Sequence, residues 1–349
     1  MLGNMPKSLL ENLKEGGSIF FGEAWRYKST EGILLPILVR AYLPRAYITL
    51  EGALAKNKES VLLKDSGSIN RLLLETKEDS SVFIRAGTML EGKGTQSRTI
   101  QTSRVIMPTN ETVEVPIRCV HLSSSIRAGK DFTVSEEVST PREVMSRVYS
   151  GDQSGIWECT GSLSVYATNL AMSLHSSYSG GNSLIEASKT IQALHANVDE
   201  MILSAPCLEK QVGVMVLRPN EVLGIEFFDN PESWKEVYKA TIKKYSLDLT
   251  KSLDEEVFKV ELDREVILKK ASEFLSTVIA SEENETYKDE RSQGYLFTGE
   301  KVIGEYTVLD GRLIHLSAIT AEKIPPKSSR ISGGVPLVLN FSNTGNGLV

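Results

Sequence analysis

The sequence is poor in cysteine and histidine, which limits the disulfide and metal chemistry available to it. Of 349 residues, three are cysteines and four are histidines. Cys119, Cys159 and Cys207 are odd in number, and no two of them have the short spacing of a zinc-binding pair. We therefore predict no disulfide framework, no metal site and no bound cofactor.

Long hydrophobic runs are also missing. The longest apolar run, 32–39, contains Pro36 and falls far short of the roughly 20 apolar residues that a membrane-spanning helix needs. The first residues, 1–17, are polar and carry several charges, unlike a secretory signal. We expect a cytoplasmic protein that does not associate with a membrane.

An excess of basic residues is absent as well. The net charge is −6 and the pI is about 5.5, whereas proteins that bind nucleic acids usually carry a basic face. Apolar residues make up 41% and charged residues 24%, as in ordinary globular proteins. We predict no nucleic-acid partner, and a chain of this length can bury a large core.

The common catalytic motifs are not present. The sequence contains no phosphate-binding loop, no dinucleotide fingerprint, no nucleophile elbow and no His-Glu-x-x-His pair. Whether the protein catalyses a reaction is therefore left open by its motifs.

A central stretch, 81–123, is predicted to run from strand through a glycine-containing loop to strand. Gln96 and Arg98 lie two residues apart on this loop, so on an extended chain their side chains point to the same side. The planar fork of an arginine suits a phosphate or carboxylate. A solvated hairpin loop is the alternative. Arg85, just after the apolar Val82 and Ile84, is expected to be exposed.

Strand and turn patterns predict an α+β fold. About seven short strands in the first half have the spacing of a sandwich or barrel. We predict a mainly antiparallel β-sandwich N-terminal half, packed with a helix-and-hairpin C-terminal half. Asn230-Pro231-Glu232 starts the best-defined helix, and Asp310-Gly311 favours a type I′ hairpin turn. The acidic segment 282–290 is expected to be a solvated run.

Composition and pattern divide the chain into four segments. We predict an N-terminal helical extension at 1–17, a β-rich domain at 18–165 and an α+β domain at 166–324. The last segment, 325–349, is predicted to be a flexible tail or an arm. Two similar hairpins within the α+β domain leave an internal duplication open.

A second polar group lies before a tryptophan. Asp152 and Gln153 are able to hold a ribose hydroxyl or an amide, and Trp157 is able to stack on a base. The alternative is that Asp152 only caps a helix that buries Trp157. His315 lies on the more polar face of its strand, so it either faces a pocket or is a hydrogen-bonded structural histidine.

Several blocks together resemble an uncharacterised prokaryotic family, the ADP-ribosylglycohydrolase and rhodanese-phosphatase associated proteins. The matching blocks are 46–54, Ala86-Gly87-Thr88, Glu91-Gly92-Lys93-Gly94, Gln96-Ser97-Arg98, Met107-Pro108, 115–121, Asp152-Gln153 with Trp157, Gln211-Val212-Gly213, 224–232 and 313–318. The family often carries acids on both sides of the glycine that aligns with Gly87, but here the neighbours are Ala86 and Thr88. If those acids bind a metal or act as a base, this chain has lost that activity or uses Glu91 in their place.

The resemblance implies a role near ADP-ribose and NAD metabolism but no particular reaction. We predict binding, and leave open processing, of an ADP-ribose-, NAD- or nucleotide-like small molecule. The predicted ligand-binding residues are Gln96, Arg98, Asp152, Gln153, Trp157, Asp229 and His315. One alternative is a non-enzymatic scaffold, including a homo-oligomer, that assembles through its sheet edges. Another is a hydrolase with Glu91 or Asp152 as general base and His315 as acid.

Overall fold

The computed structural model describes residues 2–26, 32–108, 111–122, 125–176, 181–249 and 263–321. These residues form the predicted α+β fold, with helices packed on largely antiparallel sheets. The predicted tail or arm, 325–349, lies outside the described residues. The described helices are α1 (Asn4–Glu15), α2 (Leu50–Lys56), α3 (Arg142–Ser150), α4 (Gln153–Ser173), α5 (Leu184–Leu194), α6 (Ala196–Ser204), α7 (Pro231–Lys244), α8 (Ser246–Leu249) and α9 (Arg264–Ile279).

Eighteen strands in the described ranges belong to three sheets. They are β1 (Ile19–Phe21), β2 (Trp25–Arg26), β3 (Ile33–Val39), β4 (Tyr47–Thr49), β5 (Val61–Asp65), β6 (Arg71–Thr76), β7 (Ser81–Ile84), β8 (Met89–Gly92), β9 (Arg98–Ile100), β10 (Arg104–Ile106), β11 (Val113–Cys119), β12 (Phe132–Val134), β13 (Gln211–Leu217), β14 (Val222–Phe228), β15 (Glu282–Lys288), β16 (Ser292–Thr298), β17 (Val302–Leu309) and β18 (Arg312–Thr320).

The largest sheet has nine strands in the order β1-β3-β13-β14-β18-β17-β16-β15, with β2 also beside β3. All of its pairs are antiparallel. Because β3 pairs with β13, this sheet joins strands from both predicted halves of the chain. The domain boundary predicted at residue 165 stays a prediction.

Two smaller sheets are built from the first part of the chain. One has the order β10-β7-β4, in which β4 and β7 are parallel, and the other has the order β12-β8-β9-β11-β6-β5. The antiparallel β-rich character predicted for this part is present, and the sandwich arrangement stays a prediction.

The nine-stranded sheet buries an apolar layer on each face. Side chains alternate between the two faces of a strand, so Phe227 joins the core that contains α1 and α9, while Phe228 joins the core that contains α7. Trp234 of α7 lies in the second of these cores and is 1% exposed. The face toward α7 also carries the polar residues described below.

The acidic segment is exposed as expected, and the expectation that Arg85 is exposed was wrong. Residues 282–288 form the edge strand β15, because their backbone pairs with β16 while most of their acidic side chains stay exposed. A charged edge strand resists pairing with other chains. Arg85 is buried, 2% exposed, because two acids from other elements surround its guanidinium.

Candidate functional site

A carboxylate lies at the centre of the large sheet. Glu226 of β14 is fully buried and faces α7. It accepts hydrogen bonds from Lys244 Nζ at 2.6 Å and Ser317 Oγ at 2.9 Å, and His315 Nε2 lies 3.2 Å away. Arg85 Nη1 donates from 3.4 Å. We call these five residues the Glu226 network.

Charges within the Glu226 network compensate one another. Burial alone raises the pKa of Glu226, but Lys244, His315 and Arg85 outweigh it and hold that pKa well below its usual value. Burial lowers the pKa of Lys244 and of His315, although Glu226 opposes both shifts. His315 is therefore neutral near pH 7, and its Nδ1 has no hydrogen-bond partner.

Arg85 connects this network to a surface cleft. Its Nη2 lies 3.6 Å from Glu51 Oε1, and both residues line a cleft of about 560 Å³ between α2, α7 and the segment after β12. We call it the α2–α7 cleft. Three buried polar atoms of its wall have no hydrogen-bond partner: Arg85 Nε, Glu51 Oε2 and Thr88 Oγ1. Buried polar atoms are normally paired, so these three unpaired atoms distinguish this wall of the cleft.

A second carboxylate of the α2–α7 cleft is held in place by α2. Glu236 of α7 accepts a hydrogen bond from Thr49 Oγ1 at 2.7 Å and pairs with Arg45 Nη1 at 2.8 Å. Thr49 also caps α2, accepting from Gly52 N at 3.0 Å. A Cβ atom at position 52 would overlap the Glu236 carboxyl group. Gly52 thus allows Glu236 to lie against the first turn of α2.

A further buried carboxyl lies near the network. Glu305 of β17 accepts from Ser103 N at 2.9 Å and also bonds Ser103 Oγ. Burial raises the pKa of Glu305 to about 7, and the charge of Glu226 raises it too, while Ser103 and Lys244 oppose these effects.

Glu305 is expected to make stability depend on pH. Its folded-state pKa exceeds the ordinary 4.5, so the folded protein binds the extra proton between these values. The stability that protonated Glu305 contributes is fully present below about pH 4.5 and is lost as the pH rises to about 7. The loss in the free energy of unfolding is roughly 3 kcal/mol. Chemical denaturation from pH 5 to 8 measures this decline. Glu305→Gln should flatten that part of the profile, and an unchanged slope in this variant would contradict the assignment.

Three of the residues predicted from sequence meet around Cys119. Arg98 Nη1 donates to Gln96 Oε1 at 2.8 Å, and Gln96 Nε2 donates to the carbonyl of His121 at 3.0 Å. The Gln153 side chain bonds both backbone groups of Cys119, at 3.0 and 2.7 Å. These contacts bring Gln96, Arg98 and Gln153 together in the structure.

Arg98 is fully buried and does not lie in an open loop. Its Nη1 also donates to the carbonyls of Gln96 and Ser97, and burial lowers its pKa. Its Nε and Nη2 have no hydrogen-bond partner. A phosphate contact by Arg98 stays a prediction.

The remaining predicted residues lie in several places. Asp152 caps α4 by accepting from Gly155 N at 3.0 Å, and it pairs with Arg147. Trp157 is half-buried in the first turns of α4. Asp229 accepts from Tyr47 Oη at 2.9 Å, and burial raises its pKa to about 6.

Glu91 is partly exposed, whereas His315 is buried. Glu91 accepts from Ser135 Oγ at 2.7 Å and pairs with Lys189 at 3.2 Å, and Ser135 lines the α2–α7 cleft. His315 belongs to the buried Glu226 network. Sequence reasoning missed Glu51, Glu226, Glu236 and Lys244. A lone acid inside the apolar strand β14 was the signal that could have revealed Glu226.

Two other kinds of site were sought in the described part of the chain. No group of three histidine, cysteine, aspartate or glutamate residues there is arranged to hold a metal ion. Within the same ranges, no helix combines the length and the apolarity that a membrane span requires.

Comparisons with known proteins support the resemblance of the sequence blocks. A family model described as the ARG and Rhodanese-Phosphatase-superfamily-associated Protein domain, ARPP-1, matches residues 21–319. Neither the curated proteins nor the solved structures gave a match.

Proposed function

We propose that this chain, which belongs to the ARG and Rhodanese-Phosphatase-superfamily-associated Protein family, binds an ADP-ribose- or nucleotide-like ligand in its α2–α7 cleft. The observation that carries this proposal is the set of three buried, unpartnered polar atoms in the cleft wall, on Glu51, Arg85 and Thr88. A concave site with an apolar lining and a few convergent polar groups is typical of small-molecule binding.

The charges of the α2–α7 cleft suit such a ligand. Arg85 lies at its inner wall, and Lys58, Lys239 and Lys243 also line it. These cations are suited to phosphate oxygens. Glu51, whose side chain is 17% exposed, is suited to hydrogen-bond the ribose part of the ligand. Apolar side chains such as Met89, Phe132 and Val138 line the same cleft and offer contact area to a base.

Arg98 is a second candidate position for a phosphate. Its Nε and Nη2 have no partner, and a guanidinium can bind an oxyanion through two parallel hydrogen bonds. Because Arg98 is fully buried, a ligand would reach it only if the residues around it moved.

ADP-ribose is expected to stabilise the protein, and Lys239→Ala is expected to weaken that effect. Stabilisation of about 2.7 kcal/mol follows at ligand one hundredfold above the dissociation constant. Losing one lysine–phosphate contact should reduce affinity about tenfold. A thermal-shift titration with ADP-ribose, AMP and NAD, followed by calorimetry, measures both effects.

Lys235→Ala is the matched control for this experiment. Lys235 is exposed on the same helix but does not line the cleft, so its replacement should leave affinity unchanged. Absence of any thermal shift at millimolar ligand would count against the proposal. Arg98→Ala, rather than Lys239→Ala, abolishing the shift would move the phosphate site to Arg98. An apparent molecular mass that rises with protein concentration, together with no thermal shift on adding ligand, would favour the scaffold alternative.

A further inference from the structure

Two carboxyl groups in the α2–α7 cleft have different surroundings. Glu51 lies in the first turn of α2, 17% exposed, and its Oε2 has no hydrogen-bond partner. The Arg85 cation is 3.6 Å from its other oxygen, too far for a good hydrogen bond. In Glu236, by contrast, one oxygen accepts a hydrogen bond from Thr49 Oγ1 and the other forms an ion pair with Arg45.

The two carboxyl groups are also close enough to influence each other. Glu236 lies against Gly52, the residue that follows Glu51. Burial raises the pKa of Glu51, Arg85 opposes this shift, and the negative charge of Glu236 raises the pKa further. Burial thus favours the protonated form of Glu51, while contacts with Thr49 and Arg45 fix the orientation of Glu236. Such unlike environments let two acids take opposite roles in proton transfer.

We infer that Glu51 and Glu236 hydrolyse a glycosidic bond to the ribose of the ligand, with Glu51 as general acid and Glu236 as general base. The inference rests on the proposed binding function. Glu51 donates its proton to the leaving group as the bond from that group to the anomeric carbon breaks. Water adds its oxygen to the same carbon and gives its proton to Glu236. The products are the protonated leaving group and a ribose with a free anomeric hydroxyl.

The charge of this pair favours glycosidic over phosphoryl chemistry. Cleavage of a glycosidic bond passes through a transition state with positive charge on the sugar ring, which a carboxylate stabilises. A carboxylate at the same place would repel the negative oxygens of a phosphoryl group. Lys58 and Lys239 line the same cleft and are suited to phosphates that do not react.

Release of free base from AMP and from NAD tests the inference. Adenine needs a proton to leave AMP, whereas nicotinamide leaves NAD as a neutral molecule without one. Glu51→Gln should lower the kcat for AMP by about 10²–10⁴-fold, the usual effect of one acid or base, and should lower the kcat for NAD much less. Glu236→Gln should lower both rates by a similar factor.

Glu232→Gln is the matched control. Glu232 pairs with the same Arg45 but is exposed and does not line the cleft, so both rates should remain unchanged. Thermal shifts with the same ligands separate binding from reaction. A wild-type protein that binds AMP or NAD and releases no base would overturn the inference and leave the binding proposal standing. Failure to bind AMP, NAD and ADP-ribose would remove both proposals. Equal losses in Glu51→Gln and Glu232→Gln would overturn the assigned roles.

Discussion

Glu226→Gln is expected to lower the free energy of unfolding by about 3–5 kcal/mol, the cost of breaking a buried ion pair by removing one partner. Lys244 and Arg85 would remain buried without the carboxylate that compensates them. Gln keeps the shape of the side chain, so the loss would report charge and not packing. Urea denaturation of both proteins at pH 7 measures the difference.

A double variant and a surface variant control this prediction. Glu226→Gln combined with Lys244→Met should recover part of the loss, because one uncompensated cation is then gone. Glu221→Gln, on the same hairpin but with a side chain that is 43% exposed, should change stability by less than about 0.5 kcal/mol. A loss of that small size in Glu226→Gln itself would show that the Glu226 network contributes little to stability.

Trp234→Ala should cost about 3–5 kcal/mol, the range for removing a large aromatic side chain from a core. Trp234 is 1% exposed and packs in the core between α7 and the large sheet. The cavity left behind would have few neighbours free to fill it, since interiors are densely packed. Chemical denaturation measures the loss, and ligand affinity of the remaining folded protein should stay unchanged.

Lys235→Ala is the control, because Lys235 neighbours Trp234 on α7 but its side chain is exposed. It should lower stability by less than about 0.5 kcal/mol. Equal effects of the two substitutions would mean that α7 contributes through its backbone and not through its apolar face.

Local features of the sequence were sufficient where neighbouring residues decide the structure. Asn230 caps α7 through its side chain, accepting from Glu232 N at 2.9 Å, and Pro231 takes the first helical position. Asp310 and Gly311 both adopt positive φ angles, 50° and 71°, as the predicted type I′ turn requires. Gln96 and Arg98 do point to the same side, since their side chains are hydrogen-bonded. These features depend on backbone preferences within a few residues.

The burial of single charged residues could not be predicted from local features of the sequence. Arg98 follows two glycines and reads as part of a solvated loop, yet it is fully buried, because β9 lies between β8 and β11. The acidic segment after α9 reads as solvated, yet its backbone completes the sheet edge as β15. Neither result follows from the local pattern, because each depends on which strand becomes the neighbour.

The sequence by itself determined the family, the α+β class and the helices and turns with strong local signals. Only the tertiary structure decided which polar residues meet. Arg85 and Glu226 are 141 residues apart, and Thr49 and Glu236 are 187 apart. Their contacts exist because β4 and β7 pack with α2 against α7 over the large sheet. A charged residue is stable in such an interior only when a residue from elsewhere in the chain pairs with it. A local sequence pattern does not show which distant residue will be that partner.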